Sequence, residues 1–288
     1  TRLRPHTDKR QKCLLPVAGK PVIDHILEPL IEQGFDEIVL VTGYLEEQLK
    51  AYVSKYDAQF TFVLQQEPLG LGHAVFQGLE ESDAPALIQL GDVIYDLDFK
   101  QFCRPDNHRI AVNEVPDPER FGIVEVEGDR IVNVLEKPDN PPSNLAIIGL
   151  YFLSSQRPLW NVLKNLIDNE ITTRGEIQLT DALQLMVENS ETVTAEHIPK
   201  WHDCGVPETF LEANRALLKP SGKTIDGSTL VEPVYIGENC EIVNSTVGPN
   251  VTVMDGAKIS DSHISESIVL WNANIKGQTV ENQLVEEG

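Results

Sequence analysis

Between residues 236 and 275 a single pattern restricts the fold more than anything else in the chain. Ile236, Ile242, Val247, Val253, Ile259, Ile264, Val269 and Ile275 follow one another at spacings of 6, 5, 6, 6, 5, 5 and 6. Cys240, Val251, Ala257 and Ala273 each stand four places after one of these aliphatics. Gly237, Asn239, Gly248, Asn250, Gly256, Asn272 and Asn274 sit near the corners between them. A period near six with turn formers between aliphatics marks a hexapeptide parallel β-helix, in which three short strands complete a coil. An antiparallel sheet needs longer strands and loses the period. The run covers about 40 residues, room for two or three coils.

The first two thirds have a different texture. Apolar residues recur at helical spacing from Pro21 to Ile31, and Gly34 ends that helix. Ile38–Val41 reads as a buried strand, Leu45–Val53 as a helix, Phe60–Leu64 as a strand and Ala74–Leu79 as a short helix. Ala86–Leu90 is a third strand, stopped by Gly91 and Asp92. Strands separated by helices imply βαβ units and a mostly parallel sheet with helices on both faces. Ligands of such sheets bind beyond the carboxyl ends of the strands, where Asp92 falls. Turn-linked strands follow at Ile110–Val115, Gly122–Val126, Ile131–Leu135 and Ile147–Phe152. Helical patterns return at Leu159–Ile167 and Leu179–Val187, with Thr180 as a cap for the second. A chain of 288 residues has the length of two domains. The boundary reads as 1–218 for the α/β domain and 219–288 for the β-helix.

Composition narrows the function. Hydrophobic residues make up 41%, enough for a sizeable core. No apolar run approaches the ~20 residues that cross a bilayer, and Thr1-Arg2-Leu3-Arg4-Pro5 lacks the apolar stretch of a signal peptide. Cys13, Cys103, Cys204 and Cys240 lie far apart with no C-x-x-C pair, which reads as reduced thiols of a cytoplasmic protein. The net charge of −22 argues against a nucleic-acid or membrane partner. Yet residues 1–20 carry Arg2, Arg4, Lys9, Arg10, Lys12 and Lys20 against Asp8 alone. The excess is either a solvated basic start or a local anion pocket.

That segment resembles the signature of the sugar-phosphate nucleotidylyltransferases. Thr1-Arg2-Leu3-Arg4-Pro5, Lys12-Cys13-Leu14-Leu15-Pro16-Val17 and Lys20-Pro21 match G-x-G-T-R-L-R-P…P-K-x-L-L-P-V…K-P, with Gln11 in place of a proline. The signature's strand and glycine turn have no counterpart before Thr1, so that segment is either removed or outside this sequence, which as it stands would lack a central strand and part of the phosphate loop. The resemblance implies a loop that cradles a triphosphate with backbone N–H groups and cations. Thr1 and Arg2 bind the nucleotide in this reading, Arg2 holds the departing phosphates, and Lys12 holds the α-phosphate.

Gln65 to Ala74 resembles the family's Q-x-x-P-x-G-x-x-x-A element, in which Gln65 bonds a pyrimidine edge and Gly70 lets the backbone approach it. A dinucleotide-binding G-x-G-x-x-G fails there, because Val75 replaces the third glycine. His73 reads as a cap or packing residue. Asp92 and the Asp203 of Trp201-His202-Asp203-Cys204-Gly205 match the two Mg²⁺ carboxylates; Cys204 replaces a more usual threonine and reads as packing. Glu136-Lys137-Pro138 resembles the E-K-P element, with Glu136 for sugar hydroxyls and Lys137 for the sugar phosphate. Gly122, Gly149 and Glu176 complete the implied sugar site.

The resemblance spans residues 1 to about 215, and is nearest to glucose-1-phosphate thymidylyltransferases with a C-terminal left-handed β-helix. The fold implied is α/β, a Rossmann-like, mostly parallel mixed sheet flanked by helices. The reaction implied joins glucose 1-phosphate and dTTP, with Mg²⁺, in a homo-oligomer. Transfer from UTP to glucose 1-phosphate, or from GTP to mannose 1-phosphate, is the near rival. A hexapeptide acyltransferase using His263 and a non-catalytic regulatory subunit are rivals from other classes.

Overall fold

The apolar run from Leu145 to Leu153 forms the long strand at the heart of the largest sheet, buried at every position after the first. The computed structural model describes residues 3–286. In chain order the strands before the repeats are β1 (Pro16–Val17), β2 (Lys20–Pro21), β3 (Glu37–Thr42), β4 (Gln59–Leu64), β5 (Ala86–Gln89) and β6 (Val93–Tyr95). They continue with β7 (His108–Glu114), β8 (Gly122–Glu127), β9 (Arg130–Glu136), β10 (Leu145–Leu153), β11 (Val193–His197) and β12 (Trp201–Asp203). The helices are α1 (Val22–Glu32), α2 (Glu46–Val53), α3 (Leu71–Gly78), α4 (Phe99–Phe102), α5 (Arg157–Asp168), α6 (Leu179–Glu188) and α7 (Pro207–Leu217). Packing groups the residues differently from the sequence boundary at 218. One compact unit holds the chain up to Pro29, Gly91–Tyr95 and everything from Trp201; the other holds Leu30–Leu90 and Asp96–Lys200.

The second unit is built on a six-stranded sheet in the order β5-β10-β7-β11-β9-β8. Its pairings are antiparallel except β7 with β11, so the expected mostly parallel arrangement is corrected to a mixed sheet. Parallel pairing does hold for β3 with β4. The strand–helix alternation extends only through β5. Beyond it the turn at Gly128 folds β8 directly onto β9, and so short a connection permits only antiparallel pairing. Helix α5 buries Leu159, Val162, Leu163 and Leu166, one stripe at helical spacing. Helix α6 buries Leu179, Ala182, Leu183 and Met186. Both stripes join Ile110, Val112, Val124 and Val134 in a common core.

In the first unit the repeats form three columns of short parallel strands. One stacks β13 (Thr229–Leu230), β16 (Thr246–Val247), β19 (His263–Ser265) and β22 (Thr279–Glu281). The next stacks β14 (Val234–Ile236), β17 (Val251–Val253), β20 (Ile268–Val269) and β23 (Leu284–Val285), and the third β15 (Glu241–Val243), β18 (Lys258–Ser260) and β21 (Asn274–Lys276). Columns of four, four and three strands exceed the two or three coils expected, because Leu230, Val280 and Val285 extend the aliphatic ladders past residues 236–275. Successive coils are 17 residues apart at Thr229, Thr246 and His263, then 16 at Thr279. A 17-residue coil thus holds two six-residue steps and one of five, and the 16-residue coil one of six and two of five. Asn244 and Asp261 turn one corner with positive φ, Asn250, Glu266 and Asn282 another; asparagine and aspartate tolerate that conformation at least cost among non-glycine residues.

Helix α7 closes one face of this unit through Asn214, which is buried. Its Oδ1 accepts from Thr252 Oγ1 at 2.7 Å and from the Ala18 N–H at 2.9 Å, and its Nδ2 donates to the Asn250 carbonyl at 3.3 Å. The segment leading into the coils is tied down by Glu232. That carboxylate accepts from the Ser221 N–H and hydroxyl, the Gly222 N–H and the Val234 N–H, at 2.7 to 3.1 Å. The hydrogen bonds hold its carboxyl down to about 2, below the ordinary 4.5. A depressed acid stabilises the fold above its unfolded pKa and loses that contribution as pH falls through the folded one. Wild type should therefore melt above Glu232→Gln near neutrality, and the gap in Tm should close between pH 4.5 and 2. A pH-independent gap contradicts this account.

Candidate active site

Lys12 opens a short 3-10 turn, Lys12–Leu14, whose flanking Leu14, Leu15 and Val17 are buried. That apolar anchor, continued by the β1–β2 pairing, fixes where the lysine can reach. Its Nζ donates to Asp92 Oδ2 at 2.6 Å, and both side chains remain partly exposed. Other cations of the basic segment are engaged elsewhere. Arg4 pairs with Asp8 at 3.3 Å, Lys20 pairs with Glu28, and the Arg10 guanidinium stacks 4.1 Å from the Trp271 ring centroid. The anion-pocket reading thus narrows to Lys12 among these; Thr1 and Arg2 lie outside the described residues.

The aspartates, 111 residues apart in sequence, are brought together by a pairing that the sequence reading missed. Strand β6 runs antiparallel to β12, with Val93 opposite Asp203 and Tyr95 opposite Trp201. The Cys204 N–H donates to the Asp92 carbonyl at 2.8 Å, extending the ladder past the strand ends. Asp203 is held by its own turn: Oδ1 accepts from the Gly205 N–H at 2.8 Å and Oδ2 from Thr209 Oγ1, in the first turn of α7, at 3.2 Å. At three residues each, β6 and β12 are too short to show a strand period.

Cys204 sits among all three charged groups. Burial above all, then Asp203 and Asp92, pushes its thiol up, while Lys12 opposes them. Burial likewise pushes Cys13 up to about 12. Thiols so far from ionising are poor nucleophiles. Iodoacetamide at about pH 7.5 should leave Cys13 and Cys204 of the folded protein unmodified; rapid labelling of either, read by mass spectrometry, contradicts this placement.

In the second unit, Gln65 follows the end of β4, with its amide nitrogen 3.2 Å from the Gly70 carbonyl and 2.9 Å from His73 Nδ1. Gly70 adopts φ +113° ahead of α3, and a Cβ there would lie 2.6 Å from the Ile177 carbonyl oxygen and 2.9 Å from the Glu176 Cβ. Only glycine fits that approach. The loop therefore packs against the segment carrying Glu176, joined by the Ile177 N–H to the Leu69 carbonyl and the Gly72 N–H to the Ile177 carbonyl, each 2.8 Å. His73 lies inside the first turn of α3 and is no cap.

A second group gathers at the end of the β8–β9 hairpin, where Gly122 pairs with Glu136. Glu136 Oε1 meets Lys137 Nζ at 2.9 Å, and Oε2 accepts from Thr180 Oγ1 at 2.9 Å. Thr180, expected as a helix cap, instead lies within α6 with Gln178 at the cap position. Its hydroxyl serves Glu136, a link that no local sequence signal carries. Gly149 lies in the irregular stretch of β10, its carbonyl accepting the Leu90 N–H at 3.0 Å.

A family model described as nucleotidyl transferase matches residues 1–220. The chain belongs to that family. Among curated relatives, it is 37% identical over 250 residues to the bifunctional protein GlmU of Methanococcus maripaludis, across 84% of this chain and 59% of that protein. The chain thus spans about 59% of the length of such relatives. It is 30% identical over 322 residues to the glucose-1-phosphate thymidylyltransferase of Streptomyces griseus, covering 96% of this chain and 86% of that one. A solved UDP-glucose pyrophosphorylase complexed with UDP-glucose superposes with a TM-score of 0.64 at 26% identity, over 75% of this chain and 93% of that chain. The α/β fold is therefore that of the nucleotidyl transferases. No helix among the described residues is long and apolar enough to cross a membrane.

Proposed function

We infer that this chain transfers a nucleotidyl group from dTTP to glucose 1-phosphate, releasing pyrophosphate and dTDP-glucose. The observation that carries the reading is the gathering of Lys12, Asp92 and Asp203 around Cys204. One cation and two carboxylates from distant parts of the chain suit a polyphosphate bound through a metal. The thymidylyl choice leans on the Streptomyces griseus relative, which this chain matches over most of both lengths. Uridylyl transfer is the second reading, favoured by the likeness to the UDP-glucose pyrophosphorylase structure.

The donor set fits Mg²⁺. Among the described residues no cluster of three or more His, Cys, Asp or Glu could cage a metal. An ion that keeps several waters and takes one or two carboxylates with substrate phosphates suits Asp92 and Asp203. When bound, Mg²⁺ supplies charge compensation at the α-phosphate and the attacking phosphate. The rest falls to the chain. An anionic oxygen of the sugar 1-phosphate bonds to the α-phosphorus as the bond to the pyrophosphate oxygen breaks, so no general base is required. Lys12 places its ammonium where charge grows on the α-phosphate. Arg2 takes the departing phosphates, with Thr1 beside it in the same motif; Gln65 and Gly70 hold the base. Glu136, Lys137, Gly122, Gly149 and Glu176 hold the sugar phosphate.

Pyrophosphate release, screened over five nucleoside triphosphates and glucose, mannose and N-acetylglucosamine 1-phosphates, tests the assignment. The fastest release should come from dTTP with glucose 1-phosphate; a clear preference for UTP or GTP moves it to the corresponding rival. The reading extends to a homo-oligomer, argued from the open strand edges that so short a stack of coils presents. Light scattering should give a multiple of 32.1 kDa at micromolar protein, and a mass of 32.1 kDa contradicts it. His263 is exposed on β19, in a shallow recess of about 300 Å³ with Asn244, Asp261 and Gln278; no observation favours acyl transfer there.

A further inference from the structure

We propose that Thr180 is a positioning residue that locks the Glu136 carboxylate for a sugar hydroxyl, an assignment that rests on the sugar-phosphate role inferred for Glu136 and Lys137. The Glu136 side chain is only 9% exposed, so its oxygens depend on protein partners. The two partners differ in kind. Lys137 Nζ, on Oε1, belongs to a side chain 46% exposed and free to turn toward a phosphate. Thr180 Oγ1, on Oε2, is carried by a buried residue of α6. Once Lys137 engages a phosphate, Thr180 is the group left to fix the rotation of the carboxylate.

The threonine is held in turn. A Cβ on Gly122 would lie 2.6 Å from Thr180 Cγ2 and 3.6 Å from Glu136 Oε2. Gly122 therefore leaves the space that the methyl occupies, and the hydroxyl is directed to Glu136. Methyl and hydroxyl have separate partners, which sets χ1. Valine keeps the shape and loses the donor; serine keeps the donor and loses the methyl. In Thr180→Val an almost buried carboxylate oxygen is left without its hydrogen bond, and a hydrogen bond to a charged group is among the stronger kinds.

The test measures initial rates of pyrophosphate release by the full chain, Thr180→Val and Thr180→Ser, with glucose 1-phosphate and its 2-, 3-, 4- and 6-deoxy analogues. Thr180→Val should raise KM for glucose 1-phosphate by about 10- to 100-fold, leaving kcat and the nucleotide KM within about threefold; Thr180→Ser should restore KM to within about threefold. The penalty should vanish for the deoxy analogue that lacks the hydroxyl Glu136 holds. KM does not depend on the folded fraction, and the analogue comparison is a ratio within one variant, so partial unfolding imitates neither result. A wild-type KM in Thr180→Val, or an equal loss across every analogue as a packing lesion gives, overturns the proposal. Failure of wild type with every sugar 1-phosphate overturns the sugar reading as well, and is recognised without any variant.

Discussion

Lys12→Met should lower kcat by about 10²- to 10³-fold, the usual effect of removing one preorganised donor from a developing charge. The lysine is placed by a rigid surround: Leu14, Leu15 and Val17 are buried beside it, and the Leu15 carbonyl accepts the Val22 N–H at 3.0 Å. Methionine keeps much of the apolar stem while deleting the ammonium. The ion pair with Asp92 is partly exposed on both sides, and such pairs contribute about 0–1 kcal/mol to stability. The variant should therefore melt close to wild type, and KM for glucose 1-phosphate should move little. An active Lys12→Met contradicts the role given to this side chain, and an unfolded one contradicts the view that the pair serves chemistry more than folding.

Asp203→Asn and Asp92→Asn should each cost about 10²- to 10⁴-fold in kcat/KM, equivalent to the several kcal/mol that a catalytic metal contributes. They should also raise the Mg²⁺ concentration needed for half-maximal rate. The two substitutions differ structurally. In Asp203→Asn the amide oxygen can still accept from the Gly205 N–H, as the carboxylate does at 2.8 Å, so that turn should persist. Asp92→Asn removes the charge that now holds Lys12 at 2.6 Å, so its loss should overlap with that of Lys12→Met and be less than additive in the double variant. Titrating Mg²⁺ against rate for each variant measures both effects. An unchanged half-maximal Mg²⁺ concentration in Asp203→Asn removes that residue from metal binding.

The particular residues show what the sequence revealed. The β-helix was legible because each inward aliphatic is followed by the next after five or six residues, a signal independent of everything outside the coil. Its extent was underestimated because the end coils rely on Leu230, Val280 and Val285, which the central run excludes. Helices α5 and α6 were legible from their single buried stripes. The sheet was misjudged because its long buried strand β10 pairs antiparallel with β5, β7 and β8, and strand direction is a long-range property. At the site, Lys12, Asp92 and Asp203 were chosen from motif resemblance, while their meeting depends on β6 and β12, too short to announce themselves. Thr209 had no signal and Thr180 only that of a helix cap: each hydroxyl finds its carboxylate only after helices α7 and α6 are in place.

Isotopic exchange tests direct nucleotidyl transfer most plainly. Labelled pyrophosphate is incubated with the full chain, Mg²⁺ and dTTP, with and without glucose 1-phosphate. Label should enter dTTP when the sugar phosphate is present, because the reverse reaction then regenerates the triphosphate, and should not enter in its absence. Exchange without the sugar would reveal a nucleotidylated protein intermediate, and no exchange under either condition would contradict transfer from this triphosphate to this sugar.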